Sequence, residues 1–152
     1  TLFNWLGQDL TGWACIDAYA GTGVLGLEAA SRGARQVLSI ERDAALATAL
    51  RANARRLKAE ALQVQQGDAI SLLARQAPAS ADLVWLDPPY GTGELARALP
   101  LAAAVLAAGG HLYLEDERFW REDEAQAHGF APQRQLKAGA VHAHWWRRKP
   151  TA

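Results

Sequence analysis

Short apolar runs alternate along this chain with segments whose apolar residues recur at helical spacing. The first unit has a predicted strand over 13–18, a turn rich in glycine, and a predicted helix that follows Gly23 and stops at Gly33. A second apolar run over 36–40 ends at Glu41. The pattern therefore predicts a strand, a helix and a strand at the start of the chain.

The same alternation continues to the C-terminus. The helix after the second strand is expected to bury Leu46, Leu50 and Leu57. The other predicted elements are a helical turn within 1–9, a strand at 62–66, a helix at 70–75, a strand at 83–86, a helical region at 94–107 that Pro100 should bend or split, a strand at 111–115 entered through Gly109 and Gly110, and a hairpin at 133–148 that turns near Ala138 and Gly139. On the hairpin, His142 and His144 are expected to face solvent.

Strands that alternate with helices and end in a hairpin predict a Rossmann-like α/β fold. We expect a mostly parallel seven-stranded sheet with helices on both faces and an antiparallel C-terminal hairpin, in a single domain over 1–152. In such sheets ligands bind beyond the carboxyl ends of the strands. Carboxylates fall at four of these ends, namely Asp17, Glu41, Asp68 and Asp87. The fold should bring all four to one edge of the sheet.

Composition limits the class of protein and its partners. Lysine plus arginine equals aspartate plus glutamate, 16 against 16, so nucleic-acid binding has to come from a local patch or from a segment outside this chain. The stretch 145–149 is one candidate patch, with packing of its tryptophans on the sheet as the alternative. The single cysteine, Cys15, excludes an internal disulfide and a multi-cysteine zinc site, and we expect no metal.

The distribution of apolar residues also indicates the cellular compartment of the protein. No apolar run approaches the roughly 20 residues that span a bilayer, and the start of the chain has no secretion signal. We therefore expect a cytoplasmic protein. The sequence contains no methionine, which we interpret as a sign that an N-terminal piece has been removed.

The glycine-rich turn after the first strand predicts a ligand site. Residues 21–26 match the G-x-G-x-x-G pattern, and Glu41 lies 20 residues beyond Gly21, as in a dinucleotide-binding fingerprint. Asp17 favours a different ligand, because a carboxylate at the strand end repels a pyrophosphate but suits a ligand that bears an amine. S-adenosylmethionine has such an amine, a ribose diol suited to Glu41, and an adenine amino group suited to Asp68. NAD is the alternative cofactor.

Asp87-Pro88-Pro89-Tyr90 is the most specific motif in the chain and predicts the chemistry. An amino nitrogen conjugated to a purine is a poor nucleophile, because its lone pair is delocalised into the ring. Hydrogen bonds from its N–H groups to the Asp87 side chain and the Pro88 carbonyl would favour pyramidal geometry and aim the lone pair at a methyl group. The prolines stiffen the turn, and Tyr90 offers a face on which an extruded base can stack. The alternative is a rigid turn with a packing tyrosine.

Together these motifs resemble the bacterial RsmD methyltransferases over nearly the whole chain. The matching segments are 3–6, 17–26, 27–34, 41–43, 68–69, 87–90 and 136–139. The resemblance implies a class I S-adenosylmethionine-dependent methyltransferase that acts on the exocyclic N2 of a guanine in small-subunit (16S) ribosomal RNA. Tyr19 and Thr22 stand where that family usually has Phe and Ser, and a basic N-terminal segment typical of the family, which contributes to cofactor and RNA binding, is absent here.

Carried onto this sequence, the resemblance implies a cofactor site and a catalytic motif. The residues expected to contact S-adenosylmethionine are Asp17, Ala20, Gly21, Thr22, Gly23, Glu41, Arg42, Asp68, Ala69 and Asp87. The residues expected at the target base are Asp87, Pro88, Pro89 and Tyr90. The implied partner is ribosomal RNA or a partly assembled small ribosomal subunit. We expect a monomer with no membrane partner.

From the residues alone the methyl acceptor stays open. Guanine N2, adenine N6 and a glutamine amide present similar N–H groups, and only the resemblance favours guanine. Two further hypotheses keep the fold and change the function. One is an NAD-dependent oxidoreductase, and the other is a module that binds RNA or cofactor without turnover.

Overall fold

The computed structural model describes residues 2–150, which contain six helices and seven strands. The helices are α1 (Leu2–Leu6), α2 (Val24–Ser31), α3 (Ala44–Arg56), α4 (Ala69–Ala74), α5 (Glu94–Val105) and α6 (Glu122–Ala127). The strands are β1 (Ala14–Asp17), β2 (Gln36–Glu41), β3 (Leu62–Gln66), β4 (Ala81–Leu86), β5 (Leu106–Asp116), β6 (Phe130–Ala138) and β7 (Val141–Arg148). The order of the elements is the one that the apolar periodicity predicts, with α6 added in the polar segment between β5 and β6.

All seven strands belong to one sheet, in the order β3-β2-β1-β4-β5-β7-β6. Strands β1 to β5 run parallel, whereas β7 pairs antiparallel with both β5 and β6. The predicted mostly parallel sheet with a C-terminal hairpin is therefore confirmed. The strand order changes direction between β1 and β4, and this is the point at which such sheets open a ligand crevice beyond their carboxyl edge.

Strand β4 shows how helices cover both faces of the sheet. Leu83 and Trp85 pack in one buried cluster with α1, α2 and α3, while Val84 and Leu86 pack in a second cluster with α4, α5 and α6. A strand buried on both faces is almost entirely apolar, which explains the continuous apolar run over 83–86. Within residues 2–150, no helix has the length and apolar character needed to cross a membrane.

Helix α3 buries a different face from the predicted one. Leu46 and Leu57 are 40% and 57% exposed, and Leu50 is the one member of the predicted face that is buried. The helix packs through Ala47, Leu50 and Ala54, at positions i, i+3 and i+7. The periodicity was correct for a helix, but two alanines and only one of the three leucines lie on its buried side.

The structure differs from two predictions drawn from proline and glycine in the second half of the chain. Helix α5 is not split at Pro100, which lies on its exposed side. Its opposite side buries six apolar residues, and this packing outweighs the single backbone hydrogen bond that a proline removes. Strand β5 begins before Gly109 and Gly110, so these glycines lie inside the strand near a register shift with β4, not in a turn that precedes it.

The C-terminal hairpin buries aromatic residues in the hydrophobic core. The prediction that His144 faces solvent is wrong, because His144 is 2% exposed and its Nε2 accepts a hydrogen bond from the Trp120 backbone N–H at 3.3 Å. Trp146 is 1% exposed. Arg147 donates to a backbone carbonyl in β5, and Arg148 donates to one in α5. Residues 145–148 therefore serve the fold, as the packing alternative requires.

Candidate active site

A cavity of about 480 Å³ lies at the carboxyl ends of β1 to β4, at the switch in strand order. Its volume is typical of pockets for small molecules and cofactors. The residues that follow each strand form its wall. They include Tyr19 and Gly21 after β1, Glu41 and Arg42 at the end of β2, Asp68 and Ala69 after β3, and Asp87, Pro88, Pro89 and Tyr90 after β4.

Glu41 joins the end of β2 to the glycine-rich turn. Its Oε1 accepts a hydrogen bond from the Gly21 N–H at 2.9 Å, and its Oε2 accepts one from the Asp43 N–H at 2.6 Å. No salt bridge connects it to Arg42 in the described part of the chain. Each carboxylate oxygen can accept a second hydrogen bond. Glu41 thus fixes the turn and still offers acceptors to a ligand.

Asp68 has a structural role at the start of α4. Its Oδ2 accepts hydrogen bonds from the Ser71 N–H at 2.9 Å and from the Ser71 hydroxyl at 3.0 Å. The backbone hydrogen bond from Ser71 lowers the pKa of Asp68 below 3.8, so the carboxylate is ionised at neutral pH. Its Oδ1 has no hydrogen-bond partner in residues 2–150 and is the oxygen available to a ligand.

Asp17 lies deeper than the other strand-end carboxylates. It is 3% exposed and lines a smaller cavity of about 180 Å³, together with Ala20 and Thr22. Tyr19 and Asp87 line both cavities, so the two adjoin. Burial raises the pKa of Asp17 to about 7, and the negative charges of neighbouring carboxylates act in the same direction.

The glycines of the turn differ in what they do. Gly21 has φ 56° and no atom within 4 Å of the place where a Cβ would be, so its backbone faces open space at the larger cavity. Gly23 has φ 82°, precedes α2, and lies so close to Leu50 that a Cβ would overlap that side chain. A Cβ at Gly26 would come within 2.6 Å of the Ser39 Oγ. The structure thus brings Gly21 to the cavity and uses Gly23 and Gly26 for close packing.

The motif after β4 forms the rim between the two cavities. Asp87 is accessible to solvent, yet partial burial raises its pKa to about 6, and the negative charge of Glu115 adds to this effect. Pro88 is buried, whereas Tyr90 is 40% exposed and leaves a ring face free for stacking. The loop is held by Thr92, whose hydroxyl donates to the Pro89 carbonyl at 3.0 Å. This arrangement presents a carboxylate, a rigid turn and an aromatic face side by side.

Three side chains near the motif were not predicted from the sequence. Glu115 and Tyr113 line the smaller cavity from β5, and Glu94 lines the larger one from the start of α5. Glu115 had a signal in the sequence, because the fifth apolar run ends in a carboxylate as the first, second and fourth do. Glu94 had none, since its position depends on how α5 packs.

The charge of the site restricts its ligands. The larger cavity is lined by the carboxylates Glu41, Asp68, Asp87 and Glu94, with Arg42 as the cation among its lining residues. Such a wall favours a cationic ligand and opposes a pyrophosphate. Within residues 2–150, no group of three or more histidine, cysteine, aspartate or glutamate side chains has the arrangement of a metal site.

Known proteins resemble this chain in sequence and in fold. Ribosomal RNA small subunit methyltransferase D of Escherichia coli K12 is 38% identical over 119 residues, which are 77% of this chain and 60% of that protein. The protein of the same name from Haemophilus influenzae is 34% identical over 123 residues, which are 78% of this chain and 64% of that protein. The chain thus matches less than two thirds of the length of these relatives.

Solved structures agree with the sequence matches. A putative methyltransferase from Escherichia coli, yhhF, has a TM-score of 0.86 at 32% identity and covers 99% of this chain and 83% of its own. A putative S-adenosylmethionine dependent methyltransferase from Listeria monocytogenes shares the fold, with a TM-score of 0.77 at 12% identity over 98% of this chain and 96% of its own. The fold is therefore that of the class I methyltransferases.

The family follows from a match that covers almost the entire chain. The model of the family described as Conserved hypothetical protein 95 matches residues 1–147. The motifs that suggested the resemblance lie within those residues, so the resemblance is confirmed. The chain belongs to the Conserved hypothetical protein 95 family, which is the family of the RsmD methyltransferases.

Proposed function

We propose that this chain is the S-adenosylmethionine-dependent catalytic domain of a methyltransferase that modifies the exocyclic N2 of a guanine in small-subunit ribosomal RNA. The observation that carries the proposal is the carboxylate-lined cavity beside the Asp87 to Tyr90 motif. The name shared by the curated relatives, ribosomal RNA small subunit methyltransferase D, supports the choice of acceptor.

The residues present fit this cofactor in charge and in hydrogen bonding. S-adenosylmethionine supplies a methyl group on a positively charged sulfur, and its amino-acid part carries an ammonium and a carboxylate. Asp17 suits the ammonium. Trp85 lines the same small cavity, and its Nε1 is a buried donor that has no hydrogen-bond partner in residues 2–150. A dinucleotide would instead bring its pyrophosphate against the carboxylate wall.

Each remaining residue then has a role set by its position. Glu41 accepts hydrogen bonds from the ribose hydroxyls through its second lone pairs, and Asp68 with Ala69 borders the adenine. Asp87 and the Pro88 carbonyl accept hydrogen bonds from the two N–H groups of the target, which aims the nitrogen lone pair. Tyr90 stacks on the target base. Catalysis by such a site is mainly positioning and electrostatic stabilisation.

Calorimetry tests the cofactor. We expect the chain to bind S-adenosylmethionine and to show no measurable affinity for NADH at the same concentrations. Glu41→Gln should weaken binding by about 1.5 to 3 kcal/mol, since a charged acceptor becomes a neutral one. The exposed Glu60→Gln makes the same chemical change away from the cavity and should bind as the wild type does. Tighter binding of NADH would overturn the proposal.

A labelled-methyl assay tests the acceptor. Unmodified small-subunit RNA, an adenine-rich RNA without guanine and a glutamine-containing peptide present the three amino groups that the motif can accept. We expect transfer to guanine alone. Asp87→Asn should reduce the transfer rate about a hundredfold or more while calorimetric affinity for the cofactor survives. Near-normal turnover by that variant, or methylation of either other acceptor in preference to guanine, would contradict the assigned role.

A further inference from the structure

Glu115 lies beside the catalytic motif on the neighbouring strand. Strands β4 and β5 pair in parallel with Leu86 opposite Leu114, so the residues that follow lie at the same level, Asp87 just after β4 and Glu115 still within β5. Both side chains line the cavity of about 180 Å³. A second carboxylate is therefore fixed next to the one that is expected to receive the target amino group.

Tyr113 holds Glu115 in place. Its hydroxyl donates a hydrogen bond to the Glu115 Oε1 at 2.8 Å. Tyr113 is itself 6% exposed, and its ring packs against Trp5 of α1 with 6.1 Å between ring centroids. Burial and the adjacent Glu115 raise the pKa of Tyr113, so the phenol stays protonated and remains a donor. The donated hydrogen bond therefore fixes the position of the Glu115 carboxyl group.

The ionisable groups around this pair are acidic. Asp17 and Tyr19 line the same cavity from the end of β1 and the turn after it, and Tyr113 lines it from β5. Burial raises the pKa of Tyr90, and the negative charges of Asp87, Glu115, Asp116 and Glu117 add to this effect. The side chains that line the cavity include no lysine or arginine within the described residues. No cation of the wall therefore neutralises the repulsion between the two carboxylates.

We propose that Glu115, held by Tyr113, is a positioning residue that acts through Asp87 and makes Asp87 a stronger acceptor for the proton that the target amino group releases. The inference rests on the proposed methyl transfer. In that reaction the nitrogen lone pair forms the new N–C bond while the methyl carbon–sulfur bond breaks and leaves its electron pair on sulfur. The nitrogen then carries one proton in excess, which passes to the Asp87 carboxylate and later to water. A neighbouring negative charge favours this uptake.

The first test follows the Asp87 carboxyl by carbon-13 NMR titration of the chain without cofactor or acceptor, with Asp87→Asn to assign the signal. In the wild type we expect a pKa of about 6. Glu115→Gln keeps the shape and the Tyr113 hydrogen bond but removes the charge, and should lower that pKa by about half to one unit. The control Glu117→Gln removes a carboxylate two residues further on and should shift it much less. An unchanged Asp87 titration in Glu115→Gln overturns the inference.

The second test measures the rate of methyl transfer against pH in a single turnover. In Glu115→Gln the acidic limb of the profile should move to lower pH by as much as the pKa of Asp87 falls in the NMR titration. The plateau rate should fall roughly three- to tenfold. Tyr113→Phe should act in the same direction with a smaller shift. The calorimetric affinity for S-adenosylmethionine should stay within about twofold, as expected for a group that acts after binding.

The outcomes separate this inference from the proposed function. An acidic limb that does not move in Glu115→Gln overturns the inference alone. The same holds if the rate loss is matched by an equal loss of cofactor affinity, which would make Glu115 a binding residue. Absence of methyl transfer by the wild type to any of the three acceptors overturns the proposed function and the inference together.

Discussion

Removing the charge of Asp17 is expected to raise the stability of the chain and to weaken ligand binding. Its carboxyl is 3% exposed, and burial raises its pKa from 3.8 to about 7. Because the folded pKa lies above the unfolded one, the ionised form destabilises the fold. The penalty is absent below about pH 4, grows as the pH rises, and is complete above about pH 7. At roughly 1.4 kcal/mol per pKa unit, it amounts to about 4 kcal/mol.

Asp17→Asn should therefore stabilise the ligand-free chain at pH 8. We expect a gain of about 2 kcal/mol in the free energy of unfolding, since the amide removes the charge but leaves a buried N–H group without a full set of partners. For a domain of this size the melting temperature should rise by about 4 to 8 °C. At pH 4 the gain should vanish. Urea unfolding at both pH values measures the difference, and the exposed Glu60→Gln is the control.

The same variant should lose affinity for a cationic ligand. Replacing the carboxylate by an amide removes a charge-assisted hydrogen bond, which should weaken the binding of S-adenosylmethionine by about 2 to 3 kcal/mol, or roughly 30- to 150-fold. Isothermal calorimetry on the stabilised variant measures this directly. A variant that is less stable than the wild type at pH 8, or one that binds with unchanged affinity, refutes the reasoning.

Two further predictions concern the fold. Gly23→Ala should lower the free energy of unfolding by about 3 kcal/mol, because φ is 82° and the new methyl overlaps the buried Leu50. Gly21→Ala, at φ 56° in open space, should lower it by only about 1 kcal/mol. Urea unfolding measures both values, and equal losses would contradict this reasoning. Burial lowers the pKa of His144 to about 4, below the unfolded 6.5, so the wild type loses stability as the pH falls through that range. Between pH 7 and pH 5, His144→Leu should lose about 2 kcal/mol less of its free energy of unfolding than the wild type does. An unaltered pH dependence of stability would show that His144 does not cause the acid destabilisation.

The candidate site could be predicted from the sequence where a single strand end determines the position of a side chain. Glu41, Asp68 and Asp87 each follow a strand of the parallel part of the sheet, and parallel strands deliver their carboxyl ends to one edge. The sheet and its edge hairpin could likewise be predicted, because apolar runs alternate with helical segments along the chain. These features depend on local periodicity and on the handedness of the connections, which the sequence encodes directly.

The remaining features depend on contacts between distant elements. His144 is buried because the segment around Trp120 covers that part of the hairpin, and the alternation along β7 alone does not distinguish a covered face from a free one. Similarly, α3 buries alanines because of what it packs against. Asp17, Tyr19 and Trp85 line one cavity, and the burial of Asp17 depends on how the side chains there pack, which no spacing rule describes.

Two features that oppose folding lie together at the small cavity, and this grouping favours one kind of ligand. Asp17 is buried in a place that disfavours its charge, and the negative charge of Asp87, which lines the same cavity, adds to that penalty. Both reduce stability, and packing alone gives no reason to gather them at one strand edge. A ligand with a cationic amine improves both at once, because its positive charge offsets the two negative ones. The glycine pattern alone is equally compatible with a dinucleotide, so the charge of the cavity decides between the two cofactors.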